Sequence, residues 1–207
     1  MGTMKSSNAL RPARRRRTLA TVGVTALAVA LIACGFALLP AVSEAMTPPT
    51  QAPTESAADG RIADDSRPTV FDDTVPAVAN LDPDLLAALR TAARDAEADG
   101  ISMHVNSGWR SEAYQQALLD EAVTRYGSAD EAARWVATPR NSAHVTGDAV
   151  DLGPDPALDW LSQHGDRYGL CQIYANERWH YELRTDAVVH GCPQMYADPT
   201  EDPRMQS

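Results

Sequence analysis

Apolar residues recur with two periods along this chain, and the change of period organises it. Asp82-Pro83 places an N-cap residue before a proline at the first helical position. Leu85, Leu86, Leu89, Ala92 and Ala93 follow at helical spacing, and Gly100 ends the run. Ile101, Met103 and Val105 then alternate as in a strand that runs into Ser107-Gly108-Trp109-Arg110. Ser111 to Tyr126 predicts a second helix with Ala113, Ala117, Leu118 and Ala122 inside, and Ser128 caps a short third one through Trp135. Thr138 to Thr146 is polar and irregular. Asp148 to Leu152 predicts a strand broken by Gly153-Pro154, Pro156 to His164 a helix, and Cys171–Tyr174 and Trp179–Leu183 two further strands. Helices first and short strands later predict an α+β domain, a small antiparallel sheet flanked by helices, over residues 76–193, with a tail at 194–207.

The N-terminal part follows neither period. Residues 1–17 carry Lys5 and five arginines and no acid, and Leu19 to Leu39 is an uncharged run of 21 residues. At 1.5 Å per residue such a run crosses a hydrocarbon core of about 30 Å. A basic segment before it keeps that end in the cytoplasm and sends the body outside. The expected order is therefore a basic cytoplasmic N-terminus (1–17), a transmembrane anchor or signal segment (18–42) and a disordered linker (43–75) rich in Pro, Ala, Thr, Ser and Asp. An uncleaved anchor, cleavage after Ala45 and a lipoprotein signal at Cys34 all remain open. The expected location is the cell membrane or a secreted form, with the body extracytoplasmic and monomeric.

Charge narrows the partners. The chain has a net charge of −10, and beyond residue 17 its 12 arginines face 28 acidic residues, a balance of −16. A body so acidic lacks the cationic face that nucleic acid requires. Cys171 and Cys192 both fall in the body, which should meet an oxidising compartment, and are expected to pair.

Two short segments concentrate chemistry. In Ser142-Ala143-His144-Val145-Thr146-Gly147-Asp148-Ala149-Val150-Asp151, Gly147 can turn the chain so that His144 and Asp151 converge. Asp151 sits between Val150 and Leu152, so its carboxylate points away from their apolar side chains, and an acid in a buried strand needs a strong partner. In Glu177-Arg178-Trp179-His180-Tyr181-Glu182-Leu183, alternation places Trp179, Tyr181 and Leu183 on one face, read as core, and His180 and Glu182 on the other. Two imidazoles and a carboxylate form a donor set typical of catalytic zinc, and a nearby free carboxylate can act as base. The residues alone leave a polar strand face with ordinary hydrogen bonds as an alternative.

Ser107-Gly108-Trp109-Arg110-Ser111, Ser-x-His-x-x-Gly-x-Ala-x-Asp at 142–151 and Glu-x-x-His at 177–180 resemble, in order and separation, the signature of the VanY-type D-alanyl-D-alanine carboxypeptidases. These belong to the zinc peptidase group that also holds the VanX dipeptidases and the hedgehog-like domains. The resemblance covers roughly residues 80–185. It implies that His144, Asp151 and His180 hold zinc and that Glu177 is the general base. It implies further that Arg110 stabilises the oxyanion, and that Gln115, Ser142 and Trp179 help to hold the substrate. The implied substrate is the peptidoglycan stem peptide, cut at its terminal D-Ala. Endopeptidase action on another bond and a non-catalytic wall-binding module are alternatives, and a D-Ala-D-Ala dipeptidase is a third that the N-terminal membrane signal disfavours. Two departures stand out: Trp109 occupies a position where many relatives carry Tyr, and only Ala175 and Asn176 separate Tyr174 from Glu177.

Overall fold

A computed structural model describes residues 56–206, so the basic N-terminus, the apolar segment and the first part of the linker lie outside the described residues. The described residues begin with a 3-10 turn, Ala57–Asp59, and then form α1 (Pro76–Ala79), α2 (Pro83–Ala98), β1 (His104–Ser107), α3 (Glu112–Tyr126), α4 (Ala129–Ala132), α5 (Ala143–Thr146) and β2 (Ala149–Gly153). There follow α6 (Asp155–His164), β3 (Leu170–Gln172), β4 (His180–Leu183), α7 (Ala187–His190) and two 3-10 turns, Pro199–Glu201 and Pro203–Gln206. Among the described residues no helix is long and apolar enough to cross a membrane.

The strands form one antiparallel sheet in the order β1-β2-β4-β3. One face carries Val105, Val150, Leu152 and Tyr181, which pack with Leu85 and Leu89 of α2 and with Leu158 and Leu161 of α6. Burying side chains of this size contributes about 1.5–3 kcal/mol each. α2 forms where the sequence predicts it. Asp82 accepts hydrogen bonds from the Asp84 and Leu85 amides at 2.9 and 3.0 Å, and Leu85, Leu89, Ala92, Ala93 and Ala96 make its buried stripe. α3 starts at the predicted cap, Ser111, but of its expected inner residues Ala113 is exposed, and Ala117 and Leu118 are half-buried. Leu118 instead lines a cavity, together with Gln115, Glu121 and Ala122 of the same helix.

Four expectations need correction. Residues 56–75 are not a free linker in the described part: Val70 is buried in the core and the Pro68 carbonyl accepts from the Val105 amide at 2.8 Å. A few anchoring residues suffice where the rest of the domain supplies the surface, which composition alone does not reveal. The stretch 194–206 is likewise no loose tail, because Tyr196 pairs with Tyr174 and Asp202 is fully buried. The irregular stretch 138–146 ends in a helix, α5. Trp179 is 40% exposed rather than core, because Glu177–His180 is a turn and strand alternation begins only at His180. Cys171 and Cys192 are disulfide-bonded as expected, tying β3 to the segment after α7. Closing a loop of 21 residues is worth about 3 kcal/mol in the chain-entropy account.

Candidate metal centre and active site

The sheet face opposite the core carries the chemistry. β2 and β4 are paired so that Asp151 lies opposite His180 and Ala149 opposite Glu182. Directly paired residues project to the same side. His144 arrives from outside the sheet, on α5. Two glycines make this possible. Gly147 ends α5 with φ 84°, and an added Cβ would lie 2.5 Å from the Asn80 carbonyl oxygen. At Gly108 an added Cβ would lie 2.1 Å from the Ala77 carbonyl oxygen, and the Gly108 carbonyl itself accepts from His144 Nδ1 at 2.8 Å.

That hydrogen bond turns His144 Nε2 toward the sheet. His180 is oriented the other way round: its Nε2 faces Glu182 Oε1 at 3.2 Å, which frees Nδ1. His144 Nε2, His180 Nδ1 and Asp151 Oδ1 then form a triangle with edges of 3.3, 3.4 and 3.4 Å. The corners of such a triangle lie about 2 Å from a common point, the usual Zn–N and Zn–O distance. Asp151 Oδ1 is buried and has no hydrogen-bond partner, as does Glu177 Oε1 beside it. The three donors fit a divalent cation: two imidazoles with their outer nitrogens tied down, and a carboxylate oxygen with nothing else to bind. The set predicted from sequence is thus brought together in full. Among the remaining histidines, His104 begins β1, His164 packs against Trp160 and His190 is exposed, all apart from this cluster.

Burial and the neighbouring charges set the protonation states of the donors. Burial, aided by Arg110, lowers the pKa of His144 and keeps it neutral. Burial also opposes charge on His180, but the neighbouring carboxylates of Asp151 and Glu182 outweigh it and bring the ring up to about 9. Asp151 is held well below its usual range: burial works against ionisation, and His144, His180 and Arg110 overcome it. Glu177 lies with Oε2 3.8 Å from His180 Nδ1, and burial pushes it up to about 7.

Arg110 is fixed from three sides. Its Nε donates to Ser107 Oγ at 2.8 Å, one terminal nitrogen to Gln115 Oε1 at 3.1 Å and the other to Asp151 Oδ2 at 2.8 Å. The irregularity in the β1–β2 register between Val105 and Ser107 brings Ser107 opposite Asp151. Gln115 is buried and donates to the Ala137 carbonyl at 2.9 Å, so it aims Arg110 rather than reaching openly for a ligand. Ser142 is buried on the cavity wall and makes no capping bond to α5, and Trp179 stands on the rim. The cavity has a volume of about 300 Å³.

Sequence reasoning missed three contributors. The Tyr174 ring lies 5.1 Å from the His180 ring and lines the cavity. Glu182 lies on the face that strand alternation predicts, and Arg204, which grips it, lies in the expected tail, 194–207. Alternation about His180 was the available signal for Glu182, whereas the 22-residue separation hid Arg204.

A small antiparallel sheet that presents a His-Asp-His cation site, a buried glutamate and a fixed arginine to one cavity defines the class, an α+β metallopeptidase domain. More particularly, the chain belongs to the VanY family of D-alanyl-D-alanine carboxypeptidases, whose pattern residues 78–185 match. A D-alanyl-D-alanine carboxypeptidase of Enterococcus faecalis (strain ATCC 700802 / V583) is 33% identical, and the match covers 42% of this chain and 41% of that protein. The chain therefore spans about two fifths of that relative's length. Among solved structures, the LdcB LD-carboxypeptidase aligns with a TM-score of 0.51 at 22% identity, over 67% of this chain and 74% of the other, a likeness of fold. A mutant vancomycin resistance D,D-pentapeptidase VanY from a VanB-type cassette, in complex with Zn(II), is 29% identical with a TM-score of 0.47, over 50% of this chain and 72% of that one.

Proposed function

We propose that this protein is a zinc-dependent D-alanyl-D-alanine carboxypeptidase that removes the terminal D-Ala from peptidoglycan stem peptides. The observation that carries the reading is the triangle of His144, Asp151 and His180 with Glu177 beside it, whose buried Oε1 has no hydrogen-bond partner. Family membership supports the bond that is cut. Zinc held by the three donors would supply Lewis acidity, polarising the scissile carbonyl and lowering the pKa of water to about 7. Glu177, poised at about 7, takes the proton from the attacking water and returns it to the departing amine. Arg110 offers a charge that cannot be titrated away to the oxyanion as it develops. Asp151 serves both, with one oxygen facing the donors and the other holding Arg110. Ser142 and Trp179 border the space in which the substrate backbone lies.

The stem peptide lies outside the cytoplasm. The basic segment followed by 21 uncharged residues supports a membrane-tethered or secreted, extracytoplasmic domain, and the Cys171–Cys192 bond suits an oxidising compartment.

The test is incubation of the protein with a pentapeptide ending in D-Ala-D-Ala, with and without chelator. Free D-alanine that disappears with chelator and returns with zinc is the expected result. Larger fragments in place of D-alanine would move the assignment to an endopeptidase.

A further inference from the structure

The family match ends at residue 185, yet the ion-pair network behind the His180 ligand is completed by residues 202 and 204. Glu182 is 1% exposed, and its Oε1 faces His180 Nε2 at 3.2 Å. A carboxylate buried this deeply needs compensation. Arg204 supplies it with two donors, one terminal nitrogen to Oε2 at 2.7 Å and the other to Oε1 at 3.1 Å, and Arg184 adds a third contact at 2.7 Å. Arg204 in turn is seated on Asp202, which is fully buried and pairs with its Nε at 2.9 Å. Asp202 also accepts from the Tyr174 hydroxyl at 2.9 Å, and the Tyr174 ring stacks at a tilt on His180. Two buried carboxylates thus share one guanidinium, and both the ring plane and the outer nitrogen of His180 are referred to the C-terminal segment.

From this geometry we infer that Arg204 is a positioning residue for the cation site: the C-terminal segment clamps Glu182, Glu182 fixes His180, and His180 Nδ1 is thereby held in register with Asp151 and His144. The inference rests on the metal site of the proposed function. Without Arg204, the Glu182 carboxylate keeps only Arg184 as a cationic anchor and is free to turn. That turn releases the contact that orients His180. Outer carboxylates of this kind typically change metal affinity 10–100-fold. Arg204 is half-exposed and does not line the catalytic cavity, so it acts only through this chain of contacts.

The experiment measures the Kd for Zn²⁺ by competition with a chelating dye, on the full-length chain in detergent. It compares wild type, Arg204→Met, Arg204→Lys, Glu182→Gln and the Glu182→Gln/Arg204→Met pair. The expected result is a Kd raised about 10-fold or more by Arg204→Met, a smaller rise for Arg204→Lys, and no further rise when Arg204→Met is added to Glu182→Gln. If Arg204→Met fails to fold, Arg204→Lys retains the charge without the fork and carries the same comparison. An unchanged Kd in the folded single variants overturns the clamp, while wild-type binding keeps the metal site. Equal weakening with and without Glu182 overturns the route through Glu182. Absence of zinc binding by the wild type overturns the metal site and the clamp together.

Discussion

Asp151 on β2 and His180 on β4 are direct cross-strand partners, and the sheet register alone brings Asp151 Oδ1 to 3.4 Å from His180 Nδ1. Two of the three donors are therefore placed by backbone pairing, before any loop contributes. Replacing Asp151 with Asn keeps the shape and removes the charge. The expected outcome is zinc binding weakened roughly 100-fold or more, beyond the range typical of outer-shell changes. The sheet persists in circular dichroism, since Val150 and Leu152 still hold β2 in the core. Zinc titration of Asp151→Asn at wild-type affinity would remove this residue from the ligand set.

Glu177 is separated from the donors by function. Its Oε1 is buried without a partner, while its Oε2 lies 3.8 Å from His180 Nδ1, outside the 3.3–3.4 Å triangle. Glu177→Gln should therefore bind zinc at one equivalent and lower kcat by about 10²–10⁴-fold, the usual worth of a general base. Isothermal titration and D-alanine release, measured on the same preparation, separate the two effects. Loss of zinc together with turnover would make Glu177 a ligand instead.

Arg110 and Gln115 form a graded pair. Arg110→Lys retains a charge but gives up the fork that reaches Ser107, Gln115 and Asp151 at once. A loss of about 10²–10³ in kcat, with KM changed much less, is expected from removing an oxyanion donor. Gln115→Leu leaves Arg110 in place without one of its guides and leaves the Ala137 carbonyl unpaired. It should cost about 1–3 kcal/mol of stability and a smaller share of activity. Denaturant midpoints and steady-state kinetics read the two separately, and equal kinetic losses for both variants would contradict this ordering.

The legible and the hidden parts of this molecule differ in range. α2 and α3 announce themselves through caps and spacing, and His144, Asp151 and Glu177-x-x-His180 sit in two compact segments whose residue types point to a cation. What the sequence did not display depends on contacts distant along the chain. Arg204 meets Glu182 across 22 residues, and Val70 enters the core through a segment with the composition of a linker. Trp179 departs from the predicted core face for a local reason, because a turn suspends strand alternation until His180. α5 leaves no signal in the sequence because four residues offer no period to detect.

Val70 provides a direct check on the packed N-terminal segment. It is 1% exposed, its carbonyl accepts from Arg90 Nε at 2.9 Å, and Arg90 also pairs with Asp73. A linker residue would tolerate truncation with no effect. Val70→Ala is instead expected to lower unfolding stability by about 2 kcal/mol. In urea this appears as a lower midpoint at unchanged slope. A midpoint equal to wild type would return residues 56–75 to the role of spacer.

Proton release on metal binding tests the protonation states of the donors. Without a cation His180 titrates at about 9, raised by Asp151 and Glu182 against its burial, while His144 is lowered and Asp151 is already ionised. A ligand must present a lone pair, so zinc binds only the neutral His180 ring. The sign follows: a raised pKa means that protons compete with zinc below about 9, and the apparent affinity rises with pH toward that value. At pH 8 most of the Glu177 population, poised at about 7, has already ionised, so His180 is the main proton source there. Calorimetric titration with zinc at pH 8, repeated in buffers of different ionisation enthalpy, should show release of about one proton per zinc. In Glu182→Gln the ring loses one of the two partners that raise it, and the released fraction should fall. Binding heats independent of buffer would mean that His180 is already neutral, and that the Asp151 and Glu182 carboxylates do not hold its proton.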